Sequence, residues 1–222
     1  MGLISKPLIR SMGLIVDTSQ KITRVQAKAL YAAGVRAIGR YVSFGPARSG
    51  DLDTGELLDL TGEGHVVWGI QHPREPADNT LSADTGKSDA DWAITNSVAA
   101  GYDPSVVEGP LSLTLDMEGL KNPGPSSFAH ANMWNGLVDF GVGGAGFKPL
   151  DYLGYDSGIT SANCDSMPDE VEFWLDDGPY SERPSPARKF AMRQGISKVI
   201  AGVNVDLNTL LKDGVIFGAA AA

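Results

Sequence analysis

The chain has 222 residues, a formal net charge of -9, and 42% hydrophobic residues. This length fits one domain of α/β-barrel size or two small domains, and the apolar fraction is sufficient for a core. The negative charge argues against nucleic acid or an anionic membrane as the main partner, although it is compatible with a mostly uncharged glycan. The single cysteine, Cys164, excludes an internal disulfide and a zinc site built from cysteines.

The sequence contains neither a predicted membrane span nor a predicted signal peptide. No apolar run approaches the roughly 20 residues that cross a bilayer. Residues 1–10 include basic side chains, but the apolar stretch of a secretory signal does not follow them. We therefore expect synthesis in the cytoplasm, and delivery by another route if the target lies outside it.

Predicted strands and helices alternate along the first two-thirds of the chain. Strands are predicted at residues 13–17, 37–41, 65–71, 111–115, 150–155, 170–176 and 189–194, with further short strands at 198–201 and 203–206 around a turn at Gly202. Helices are predicted at residues 23–33, 53–60, 82–100 and 128–140. The first helix opens with a capping box, in which Thr23 is followed three positions later by Gln26.

This alternation indicates a parallel sheet. Polar residues lie at the carboxyl ends of the predicted strands: Asp17, Arg40, Gln71, Asp116, Glu118, Tyr155, Asp176, Gln194 and Asp206. A (β/α)8 barrel brings such ends together on the face where its active sites lie. A doubly wound open sheet is the alternative, but no Gly-rich phosphate loop follows an early strand.

We therefore predict an α/β fold, a (β/α)8 TIM-type barrel that is incomplete or flattened because its late helices are short or absent. The predicted organisation is an N-terminal extension at residues 1–11, one barrel domain at 12–217 and an Ala-rich tail at 218–222.

Residues 111–119 hold the most informative pattern. Asp116 and Glu118 end a strand two positions apart, so both carboxylates are expected on one face. Like charges held this close are expected to raise one pKa and lower the other. A glycoside hydrolase needs such a pair, one acid for the leaving group and one carboxylate for the developing cation. The alternative is a strand end capped by solvated acids, with Asp116 starting a turn.

Short segments spread in order over nearly the whole chain carry a family resemblance. They are residues 13–20, 32–41, 86–90 and 115–118, the strand around Trp174, Gln194, and residues 205–208. With these segments the chain resembles the family 25 glycoside hydrolases, which are lysozymes. It is even more similar to the related barrel domain of unknown function that occurs in actinobacterial and phage proteins.

The resemblance implies roles for the acids. Glu118 matches the general acid of the lysozymes, Asp116 its partner, Asp17 the acid of the first strand and Asp206 that of the last. Asp116 is expected to stay ionised, and either to stabilise an oxocarbenium ion or to orient an acetamido group of the substrate. The sixth-strand acid would be Asp176 or Asp177, although Trp-Leu-Asp-Asp departs from the family pattern Trp-x-Ala-x. Members of the unknown-function family often carry Asp at the position of Glu118, so Glu118 favours hydrolysis.

The other candidate residues have alternatives of their own. Tyr41, Tyr155 and Trp174 either stack on sugar faces or belong to the core. Asp17 is otherwise a loop acid, and Asp206 a cap of its strand end. Arg40 is expected to pair with a carboxylate of the barrel mouth, and Gln71 and Gln194 to bind substrate. His65 and His72 lack the spacing of metal ligands, and neither a metal nor a cofactor is expected.

The sequence thus predicts a peptidoglycan hydrolase of the N-acetylmuramidase type, either retaining or substrate-assisted. It would act at the cell wall, as a released endolysin or within a phage virion among other virion proteins. The alternative is a non-catalytic glycan-binding or structural barrel, for instance of a phage virion.

Overall fold

The computed structural model describes residues 2–74, 81–120, 124–139, 144–176 and 190–222. The strands are β1 (Leu3–Pro7), β2 (Leu14–Thr18), β3 (Val35–Val42), β4 (Val66–Gln71), β5 (Leu111–Asp116), β6 (Phe147–Leu153), β7 (Glu172–Asp176), β8 (Met192–Ile200), β9 (Val203–Leu210) and β10 (Phe217–Ala221). The helices are α1 (Arg24–Ala32), α2 (Thr54–Gly62), α3 (Ala83–Ala99), α4 (Pro125–Val138) and α5 (Ser161–Ser166), and a 3-10 turn lies at Arg10–Met12.

Within these described residues, strands β2 to β9 close into an eight-stranded barrel. Strands β2 to β8 pair in parallel and in chain order, and β9 closes the ring by pairing antiparallel with both β8 and β2. The predicted (β/α)8-type barrel is confirmed. The barrel is flattened, because α5 has only 6 residues and β8 turns directly into β9 without a helix.

Local sequence signals explain where the early helices begin. Thr23 caps α1 through the predicted box with Gln26, Asp53 accepts the backbone N–H of Glu56 at the start of α2, and Ser82 caps α3. Each cap satisfies a backbone N–H that has no partner within the helix itself. The helices then pack on the outside of the barrel.

The strand residues divide between two cores according to the face on which they lie. In β5, Leu113 and Leu115 belong to the cluster between sheet and helices, whereas the alternate residues Thr114 and Asp116 face the barrel interior. The interior cluster includes Trp68, Tyr152 and Trp174, and partly buried residues pack against it. This alternation decides which polar residues reach the mouth of the barrel.

The two ends of the chain meet at the base of the barrel. Strands β1 and β10 pair antiparallel, from Leu3 with Ala221 to Pro7 with Phe217, and β10 also pairs with β4 where Ala219 lies opposite Val67. The buried side chains of Leu8 and Ile216 join the interior cluster there. The segments predicted as an extension and a tail thus include paired strands that adjoin the barrel sheet.

The end of the barrel differs from the prediction in one respect. The separate strands expected at residues 189–194 and 198–201 form a single strand, β8, whose pairing with β9 shifts between Gln194 and Ser197. The predicted turn is present at Gly202 (φ 76°). None of the helices in the described ranges is long and apolar enough to cross a membrane.

Candidate active site

Five carboxylates gather at the mouth of the barrel: Asp17, Asp116, Glu118 and Asp176 at or near the carboxyl ends of parallel strands, and Asp206 within the antiparallel strand β9. Asp17 lies opposite Asp206 where β2 pairs with β9, and Asp176 ends β7. Their charges act on one another, since Asp206 and Glu118 raise the pKa of Asp17, and Asp176 and Asp206 raise that of Glu118. The acids named from the sequence therefore form one electrostatic cluster.

Backbone hydrogen bonds hold the segment that carries Asp116 and Glu118. The pairing of β5 with β6 continues past the end of β5, because Met117 N donates to Tyr152 O at 3.0 Å and Gly119 N donates to Tyr155 O at 2.8 Å. The backbone N–H of Glu118 donates to Asp116 Oδ1 at 3.1 Å. These contacts fix the two acids at adjacent positions above the end of β5.

The two acids differ in exposure. Asp116 is 2% exposed, whereas Glu118 is only partly buried. Burial, followed by the charge of Glu118, raises the pKa of Asp116 well above its usual range. Burial, followed by the charges of Asp176 and Asp206, also raises the pKa of Glu118, and the Tyr152 hydroxyl opposes this shift.

This corrects the expectation that one pKa rises and the other falls. The barrel mouth withholds water from both carboxyl groups, and desolvation acts in the same direction on each. The interaction between the two acids then makes them titrate as a pair. The pair therefore retains protons at a higher pH than free carboxylic acids do.

Asp17 is held by a network of amide and phenol donors. Asn208 Nδ2 donates to Asp17 Oδ2 at 2.7 Å, Gln194 Nε2 donates to the same oxygen at 3.3 Å, and the Tyr41 hydroxyl donates to Oδ1 at 3.4 Å. Burial is the largest cause that raises the pKa of Asp17 to about 7, and the Asn208 hydrogen bond opposes it. Asp17 is thus near half-ionised around neutral pH.

Gly154 makes room for Glu118. A Cβ atom at residue 154 would lie 2.3 Å from Glu118 Cβ and 2.8 Å from Glu118 Oε2. Real Cβ atoms do not approach other atoms this closely, so any side chain here would displace Glu118. The glycine after β6 is therefore part of what positions the acid.

The aromatic candidates occupy different levels of the barrel. Trp174 is fully buried, with its ring centroid 4.5 Å from that of Tyr152 and 6.3 Å from that of Trp68. Trp174 is therefore a core residue beneath the mouth and does not offer a free face to a sugar. Tyr155 is 48% exposed beside Gly119, and Tyr41 lies at the mouth with its hydroxyl on Asp17.

Two predicted substrate-binding residues face away from the mouth. Arg40 is fully buried on the outer face of β3, where Nε donates to Glu56 Oε1 of α2 at 2.7 Å, so the predicted pairing with a mouth carboxylate is wrong. Gln71 is buried on the outer face of β4, and its Oε1 accepts from Trp134 Nε1 of α4 at 2.6 Å. Each lies next to an inward-facing residue, and adjacent residues of a strand point to opposite faces.

Of the remaining candidates, Gln194 joins the mouth and Asp206 accepts from the Ser197 hydroxyl on its rim. Asp177 lies outside the described residues. Sequence reasoning missed Tyr152, whose hydroxyl donates to Gln194 Oε1, and Asn208, the closest donor to Asp17. The same i, i+2 spacing that linked Asp116 to Glu118 links Asp206 to Asn208, and was the available signal.

Across the described ranges, no group of three His, Cys, Asp or Glu side chains is arranged to hold a metal ion. Besides carboxylates, the mouth holds amide and phenol groups, which donate and accept hydrogen bonds with a polyhydroxylated ligand.

No protein-family model matches the chain, and no curated protein matches it by sequence. Solved structures do match its fold. A Tat-secreted protein of Mycobacterium tuberculosis, solved with L-tartrate, is 21% identical with a TM-score of 0.64, and the match covers 91% of this chain and 97% of that chain. A family 25 glycosyl hydrolase of Bacillus anthracis is 14% identical with a TM-score of 0.60, over 92% of this chain and 91% of that chain. The modular autolysin LytC of Streptococcus pneumoniae, solved with a synthetic peptidoglycan ligand, is 12% identical with a TM-score of 0.58, over 88% of this chain and 46% of that chain. Over most of its length, the chain has the fold of the family 25 glycoside hydrolases.

Proposed function

We propose that the protein is a peptidoglycan hydrolase of the N-acetylmuramidase type, with Glu118 as general acid and Asp116 as its partner. The supporting observation is the placement of these two acids, both with raised pKa, at the carboxyl end of β5 in a barrel mouth. Active sites of barrel enzymes lie at this face. The likeness to a family 25 hydrolase and to an autolysin supports wall glycan as the substrate class.

The difference in exposure assigns the roles within the pair. A general acid must come within hydrogen-bond reach of the leaving oxygen, and Glu118 is the more exposed member of the pair. Its raised pKa keeps the proton available at the pH where an ordinary glutamic acid has lost it. Activity therefore falls as the pH rises through the raised pKa of Glu118.

Asp116 acts from behind Glu118. It accepts the backbone N–H of Glu118, and burial raises its own pKa. Its role is either to stabilise an oxocarbenium ion or to orient a substrate acetamido group. In the second role, the acetamido oxygen attacks the anomeric carbon, and the glycosidic bond breaks as Glu118 protonates its leaving oxygen.

The test compares wild type with Glu118→Gln on purified peptidoglycan, measuring the release of reducing ends. The amide keeps the shape of the side chain but removes the acidic proton, so we expect a loss of about a hundredfold or more. Glu108→Gln, an exposed residue outside the mouth, is the matched control and should keep full activity.

Equal rates for wild type and Glu118→Gln would exclude the proposed acid. Retention of the protein on glycan without any released product would favour the non-catalytic glycan-binding barrel. Delivery to the wall, as an endolysin or within a virion, stays a prediction from the sequence.

A further inference from the structure

A second pocket lies at the opposite end of the barrel from the acids. It has a volume of about 350 Å³ and is lined mainly by Lys6, Ile9, Met12, Tyr31, Arg36 and Val66. Arg36 and Val66 stand near the starts of β3 and β4, whereas Tyr41 near the end of β3 reaches the acid site. At roughly 3.3 Å per residue, β3 separates the two places by about 16 Å.

The guanidinium of Arg36 is held in place at this pocket. Arg36 Nη1 donates to Tyr31 O at 2.6 Å and to Val35 O at 3.0 Å, and the guanidinium carbon lies 3.9 Å from the centroid of the Tyr31 ring. The Tyr31 ring is itself fixed against Gly64, where a Cβ would lie 2.9 Å from Tyr31 Cε2 at a φ of +98°. A cation fixed this way loses little freedom when it binds an anion.

Both cations of the pocket lack a protein counter-charge. In the described part of the chain, no carboxylate lies within ion-pair distance of Lys6 or Arg36, whereas Arg10 pairs with Asp213 and Arg24 with Glu63. Such uncompensated positive charge stands out in a chain with a net charge of -9. The remaining N–H groups of Arg36 and the ammonium of Lys6 are available to a bound anion.

The rest of the lining is apolar. Ile9, 41% exposed, and the partly buried Met12 contribute side chains that a ligand would cover, beside the buried Val66. A concave site of a few hundred Å³ with apolar walls and a small number of fixed polar groups is typical of small-molecule binding.

We propose that this pocket binds a small organic anion, whose carboxylate or phosphate group pairs with Arg36 and Lys6 and whose apolar body covers Ile9, Met12 and Val66. The site is separate from the proposed hydrolase site, so binding here does not require Glu118. The planar donor fork of Arg36 suits either acidic group.

The experiment is calorimetric titration of the full chain with octanoate, octyl phosphate, neutral octyl glucoside and inorganic phosphate, each below its micelle concentration where it forms micelles. We expect octanoate or octyl phosphate to bind. The ligand with the higher affinity shows whether the pocket prefers a carboxylate or a phosphate group. Octyl glucoside and inorganic phosphate should bind much more weakly, because octyl glucoside lacks the acidic group and inorganic phosphate lacks the apolar body. Added salt should weaken the binding of the anions.

The variants are Arg36→Gln and Lys6→Gln, with Arg24→Gln as the control for loss of one positive charge nearby. Arg36→Gln should weaken binding about tenfold, Lys6→Gln by less because Lys6 is exposed, and Arg24→Gln not at all. Glu118→Gln should bind as wild type does.

Equal binding of octyl glucoside and octanoate, or no binding of either anionic amphiphile, would overturn the proposal with wild-type protein alone. Unchanged affinity in Arg36→Gln would overturn it as well. Failure of the hydrolase assay leaves these outcomes unaffected.

Discussion

Replacing Asp17 by Asn should stabilise the protein at neutral pH and destabilise it slightly in mild acid. The carboxyl group is 1% exposed, and burial raises its pKa from 3.8 to about 7. Between these two values the folded protein binds more protons at Asp17 than the unfolded chain does. Stability is therefore lost as the pH rises through this window.

The pKa shift sets the size of the effect. A rise from 3.8 to about 7 is about 3 units, and at about 1.4 kcal/mol per unit it amounts to about 4 kcal/mol above pH 7. Asn keeps one oxygen for the Asn208 donor, and rearranging the weaker bonds to Gln194 and Tyr41 costs about 1 kcal/mol. The expected net gain is about 3 kcal/mol at pH 8, and it turns into a loss of up to about 1 kcal/mol at about pH 4 or below.

Urea unfolding of wild type and Asp17→Asn across this pH range measures the difference directly. Asp91→Asn is the control, because Asp91 is an exposed acid paired with Lys87 on α3 and should change stability by less than about 0.5 kcal/mol. If Asp17→Asn destabilises the protein at pH 8, the carboxylate is an anchor for its amide donors and the electrostatic reasoning is wrong.

Three further substitutions test other parts of the site and its support. Asp116→Asn should leave stability unchanged or raise it by about 1 kcal/mol at neutral pH, with the gain shrinking in mild acid, as urea unfolding would show. Gly154→Ala should lower hydrolysis about tenfold or more and cost about 1–3 kcal/mol, since its Cβ would displace Glu118, whereas Gly136→Ala on α4 meets nothing within 4 Å and should keep activity. Arg40→Leu should cost about 3 kcal/mol or more in thermal or urea unfolding, because it leaves its buried carboxylate partner on α2 uncompensated. A loss of activity in Arg40→Leu at full stability would instead place this residue in the site.

The sequence was sufficient to predict the barrel, because helix caps and apolar runs are local signals that can be recognised in the sequence. It was also sufficient to predict that Asp116 and Glu118 lie on one face, because hydroxyl and leucine side chains alternate in β5. That alternation told the inward face of the strand from the outward one. The same spacing would have identified Asn208, two residues after Asp206.

Where both faces of a strand are buried, the sequence was insufficient to predict which side chains face the barrel mouth. Tyr41 follows Arg40 directly, and all positions from Ala37 to Val42 are buried, so polarity alone does not show which residue faces the mouth. The structure shows that Arg40 and Gln71 belong to the helix layer. Strands of a parallel barrel are covered on both sides, and only the register with neighbouring strands decides the face.

The measurement that tests the central claim most directly is mass spectrometry of purified peptidoglycan after digestion and borohydride reduction. We predict fragments that end in reduced N-acetylmuramic acid with wild type and with Glu108→Gln, and their loss with Glu118→Gln. Intact glycan after incubation with folded wild type, or the same fragments in equal amount from Glu118→Gln, would contradict the assignment of Glu118 as the acid of a muramidase.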